Sequence, residues 1–200
     1  MLYVDSDLTK LEEEARDFMI YNFNPVLKFI LMNANPEEFR RYGCNSCRQT
    51  AIFSIPILES VLPGYEINAY EGNFIDKKDG EEYLHAFVIA HNKTLKRKLL
   101  IDLSRVELPM LFQHVSGNSL YPSNNGYEGV TLLGKTHMSK SKYLYMSEPE
   151  YFTCKRPLET LNDILALMKS VTELPKKERF LFIENIYAAT TKLLEGGEFS

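Results

Sequence analysis

Apolar residues recur at helical spacing from the start of the chain, at Leu8, Leu11, Ala15, Phe18 and Met19. Residues 5–34 therefore read as helix, with Asp5, Ser6 and Asp7 offering caps. Asn24-Pro25 breaks the run, and Pro25 can open a second helix through Leu27, Ile30 and Leu31. Asn35-Pro36-Glu37-Glu38 starts a short third helix that ends near Gly43. Cys47 to Leu62 is a more continuously apolar helix, stopped by Pro63-Gly64. Pro56 lies inside it, so the helix either kinks there or ends near Ser54 and restarts.

From Tyr65 the period shortens to that of a strand. Glu66 to Ile75 alternates, with Gly72 a candidate bulge, and the Asp-Gly of residues 76–80 signals a turn. Tyr83 to Ala90 and Lys98 to Leu103 read as buried strands joined by a polar connection, His91 to Arg97. Residues 109–150 are loop-rich, with short strands at Val130 to Leu133 and Tyr143 to Met146. Leu158 to Val171 and Pro175 to Leu194 return to helical spacing. The pattern predicts one α+β domain over residues 1–200. A helical part (5–42) precedes a core (43–105), the loop-rich strands (109–150) and C-terminal helices (157–195).

Composition narrows the function classes. With 44% hydrophobic and 25% charged residues, the 200-residue chain has the make-up of a globular domain. A net charge of -4 exerts no general pull on nucleic acid, and the basic run Lys93 to Lys98 reads as a solvated hairpin loop. No stretch is apolar for long enough to span a membrane, and Asp5 and Asp7 interrupt any leader-like start, so the expected location is cytoplasmic. Three cysteines give no disulfide framework and leave free thiols.

One of those thiols is well placed for chemistry. Cys47 falls in the first turn of the apolar helix, where the positive end of the helix dipole suits a thiolate sulfur. Asn45 or Ser46 can cap that turn. A nucleophilic thiol needs a base to hold its proton and a group to orient the base. His85 on one predicted strand supplies the first, and Asp102 on the next supplies the second. An aspartate inside Lys98-Leu99-Leu100-Ile101-Asp102-Leu103 is costly unless something pairs with it. The Cys47 backbone N–H offers half of an oxyanion hole, with Asn45 and Gln49 as candidates for the other half.

Taken singly, Cys47 is equally an inert buried thiol, His85 a core histidine and Asp102 a strand-end cap. The trio in this order is what points to catalysis. Cys47-x-x-x-Ala51 on a helix, His85-Ala86-Phe87 on a strand and Leu100-Ile101-Asp102 on the next resemble the transglutaminase-like superfamily, which includes bacterial transglutaminase-like cysteine proteinases. The likeness covers about residues 40–105. It implies a papain-like core, a central helix against an antiparallel sheet, with Cys47 as nucleophile, His85 as base and Asp102 as orienting acid. The implied activity is cysteine-dependent acyl transfer, as peptidase, deamidase or transglutaminase, on a peptide, protein or small amide substrate. No metal or organic cofactor is implied. The chain has no tryptophan, so an indole shield at the active site is missing, and the Arg-Gly-Gly approach of the related arylamine N-acetyltransferases is absent too.

Cys44-x-x-Cys47 leaves two alternatives, a thiol-redox pair and half of a zinc site, and Cys44 could also form a reversible disulfide that switches the thiol off. A non-catalytic binding module on the same fold is the remaining class. Arg48 reads as one half of a structural salt bridge, and His91, His114 and His137 as surface or loop residues.

Overall fold

The computed structural model describes residues 7–34, 36, 47–75, 82–104, 110–115, 127–134 and 157–194. Its elements are α1 (Lys10–Phe18), a π-helical turn (Met19–Phe23), α2 (Asn24–Ala34), α3 (Cys47–Val61), β1 (Glu66–Ile75), β2 (Glu82–Asn92), β3 (Arg97–Asp102), β4 (Leu111–His114), β5 (Tyr127–Gly134), α4 (Pro157–Glu173) and α5 (Lys176–Leu194). The architecture is α+β. Helices flank a five-stranded sheet of order β4-β3-β2-β1-β5, in which every neighbouring pair is antiparallel.

Local chemistry accounts for the element ends. Thr9 caps α1 in a capping box: its hydroxyl accepts the Glu12 N–H, and its own N–H donates to Glu12 Oε2 at 2.6 Å. The cap expected around residues 5–7 therefore moves to Thr9. Pro25 does not break the run as its position suggested. It has no N–H to donate to the Tyr21 carbonyl, so the chain widens, and the Asn24 N–H reaches Met19 O five residues back. The helix passes through that wide turn and continues. α3 likewise runs unbroken past Pro56. It ends where Gly64 adopts a φ of 86°, a conformation glycine takes at little cost.

β2 and β3 are joined by a four-residue turn at 93–96, in which Asn92 Oδ1 accepts the Leu95 N–H at 2.9 Å. The turn is shorter than the connection expected at His91 to Arg97, because Asn92 and Arg97 already pair in the ladder. Lys93 bonds Glu66 as expected of a solvated residue, but Arg97 does not stay in solvent. It forks onto the carboxylate of Glu12, which has no exposed surface and also accepts the Tyr65 hydroxyl at 2.6 Å. α1, the turn between α3 and β1, and the start of β3 are thereby tied at one buried point. β4 was not foreseen. β5 matches the strand expected at Val130 to Leu133, and the register of β1 against β5 shifts between Glu71 and Asn73, placing the bulge at Gly72 as expected.

The alternation of β2 separates two apolar clusters. Ala86, Val88 and Ala90 join the large core made with the helices, whereas Phe87 and Ile89 pack with Leu100, Leu111 and Val115. α3 lies against β1 and β2, and α2 packs between the two C-terminal helices and that core. Buried side chains such as Phe23, Phe53 and Phe87 each contribute about 1.5–3 kcal/mol relative to exposure. The short helix expected near residues 35–43, the strand at Tyr143 to Met146, and Cys44, Asn45 and His137 lie largely or wholly outside the described residues. Among the described residues, no helix is long and apolar enough to cross a membrane.

Candidate active site

Cys47 is the first residue of α3, half-buried and not in a disulfide. His85 is in the middle of the sheet, on β2, and Asp102 ends β3. Sheet geometry explains why the last two meet. Val88 pairs with Ile101, so His85 and Asp102 lie diagonally across the adjoining ends of the two paired strands. Such diagonal neighbours are within reach of long side chains. His85 Nε2 and Asp102 Oδ2 are 2.7 Å apart.

Asp102 has no exposed side-chain surface, so its charge must be met inside the protein. Its second oxygen, Oδ1, accepts the Ser104 hydroxyl at 3.0 Å and the Ser104 N–H at 3.3 Å. The carboxylate is thus held at both oxygens and aimed at the imidazole. With Nε2 engaged, Nδ1 is the ring nitrogen left for Cys47, whose sulfur is near enough to favour the charged imidazole. Burial works against a charged ring here. The Asp102 carboxylate and then the Cys47 sulfur outweigh it, and the His85 pKa is pushed up from 6.5 to about 10. The structure therefore brings together all three residues that the sequence singled out.

Gln49 is buried, but two residues along a helix turn it about 200° away from Cys47. It does not line the small cavity that Cys47 shares with Thr50, Ala51, Ser54, Asp102 and Ser104. The cavity itself, about 10 Å³, has room for one water molecule and no more. Arg48 forms the expected salt bridge: its guanidinium meets both oxygens of Glu71 on β1, at 2.5 and 2.8 Å. Glu71 pairs with Ala86 and Gly72 with His85, so this ion pair ties the first turn of α3 to the sheet beside the imidazole.

Ser104 was missed. Its signal was present as Asp102-x-Ser104 at a strand end, a spacing at which an aspartate commonly accepts bonds from the residue two ahead. His91 and His114 lie in β2 and β4, in register with Glu66 and Leu99. Among the described residues, no group of three or more His, Cys, Asp or Glu is disposed to hold a metal ion. No family model, curated protein or solved structure matches the chain.

Proposed function

We propose that the protein is a cysteine-dependent acyl-transfer enzyme of transglutaminase-like, papain-like design, acting on an amide. The observation that carries this reading is the shared imidazole: Asp102 holds one side of His85 at 2.7 Å, while the Cys47 sulfur is near enough to the same ring to favour its charged form. Cys47 sulfur attacks the carbonyl carbon and a C–S bond forms. The C–N bond then breaks as the His85 proton passes to the leaving amine, giving a thioester. Water or a second amine, deprotonated by His85, attacks the thioester and returns the thiol. The raised pKa suits this role, because His85 carries the proton the leaving amine needs across the neutral range. The space beneath Cys47 is too small for an acyl group, so the amide approaches from the solvent side of the thiol.

Alkylation by iodoacetamide, followed by peptide mapping, tests this reading. At about pH 6, where a free thiol is almost wholly protonated, Cys47 is expected to react at least about tenfold faster than a cysteine peptide. The advantage should vanish in His85→Ala. Reaction at the peptide's rate, or no effect of His85→Ala, would leave only a binding module on this fold.

A further inference from the structure

A second concave site lies where the π-helical turn faces the start of α5. Its cavity, about 490 Å³, is lined by Tyr21, Asn22, Lys176, Arg179, Phe180 and Ile183, and shares no residue with the thiol site. That volume is in the range of small-molecule sites. Two of its walls are aromatic rings open to solvent, Tyr21 at 41% and Phe180 at 51% exposure. The wide turn forced by Pro25 brings Tyr21 and Asn22 into this wall, and π-helical turns gather at functional sites.

The charge of the cavity is the second observation. Lys176 Nζ stands 5.9 Å from the centre of the Phe180 ring. Arg179 donates through Nη2 to the carbonyls of Thr172 and Leu174, which fixes its guanidinium without neutralising it. Neither cation has a carboxylate partner among the described residues, in a chain whose net charge is negative. Asn22 Oδ1 and Arg179 Nε are also buried without a hydrogen-bond partner, so this wall is not built for apolar packing alone.

We propose that this cavity binds a small amphipathic carboxylate. Its apolar body lies between Tyr21, Phe180 and Ile183, and its anionic end meets Lys176 and Arg179. A concave space with cations on its rim fits such a molecule better than a flat protein partner. The inference stands independently of the thiol chemistry.

Amide NMR titration of the full chain with 4-phenylbutyrate, and with its neutral amide, tests it. The acid is expected to shift Tyr21, Phe180 and Ile183 saturably, with a Kd of about 1 mM or tighter for a ligand of this size. The neutral amide should bind at least about tenfold more weakly, and Lys176→Gln should weaken the acid while sparing the amide. Phe180→Ala, at a half-exposed position, should weaken both with an unchanged circular dichroism spectrum. No saturable shift at about 10 mM acid, a solvent-like concentration for such a site, overturns the proposal. Equal binding of acid and amide, or shifts centred elsewhere, overturns it too. So does binding of an acidic aromatic peptide in place of the acid, which would make the cavity a peptide-docking site.

Discussion

Asp102 is enclosed completely and still charged, and both of its oxygens are accounted for by His85 and Ser104. Asp102→Asn keeps the shape but removes the charge that offsets burial of the ring. The His85 pKa, followed by NMR titration, should fall well below its present value of about 10. The enhanced alkylation of Cys47 near pH 6 should fall toward the rate of a free cysteine peptide. An unshifted His85 titration would show that Asp102 is not what holds the proton. The trio was legible in the sequence through its order, a cysteine opening a helix followed by a histidine and an aspartate on successive strands, and not through any one member alone. An aspartate after Leu99-Leu100-Ile101 demands a partner, and the nearest strand offers His85. Ser104 was not legible as a partner because a serine after a strand is ordinary. Gln49 is the weaker oxyanion candidate, because nearness in sequence on a helix is not nearness in direction.

At the level of elements, the site depends on how α3 sits on β1 and β2. The Arg48–Glu71 pair is a fork that fixes the first turn of α3 against β1, with Glu71 only 12% exposed. Glu71→Gln leaves Arg48 without its charge partner. It should cost about 1–3 kcal/mol in urea unfolding, less than a fully buried pair because Arg48 is partly solvated. Cys47 alkylation should slow in the folded variant, while the His85–Asp102 bond, on other strands, keeps its titration. A normal alkylation rate would make the ion pair a matter of stability alone. The helix and strand periods exposed most of these elements to the sequence reader, and the bulge at Gly72 as well. The Pro25 reading failed because a missing N–H can be absorbed by a wider turn instead of a break.

Two buried ionic centres set how the whole molecule responds to pH. Glu12 has its carboxyl pKa pulled from 4.5 to about 2, against the cost of burial, by Arg97 and Tyr65. That depressed value means its contribution to stability is complete above 4.5 and lost as pH falls toward about 2. His85 works in the other sense. Its contribution is complete below 6.5 and is lost as pH rises through about 10. Unfolding stability should therefore be greatest between those windows and fall on both sides in urea melts across pH. Glu12→Gln should cost about 1–3 kcal/mol near neutrality, because the partly exposed Arg97 loses its carboxylate but keeps the Asp7 carbonyl, and should flatten the acid limb alone. An unchanged acid limb would place the sensitive carboxylate elsewhere. Glu12 and Arg97 are 85 residues apart, and nothing in either segment announces the other. The α+β class was readable from local periods, but the sheet order and this long-range tie were not.

The hairpin that carries His85 and Asp102 has one further consequence, for the order in which the site is assembled. These two residues are only 17 apart and are joined through a tight turn, so they can meet as soon as β2 and β3 zip. Cys47 joins them only when a separate helix docks across the sheet. The Cys47 sulfur therefore meets the His85 imidazole last, after the hairpin that carries His85 and Asp102 has closed.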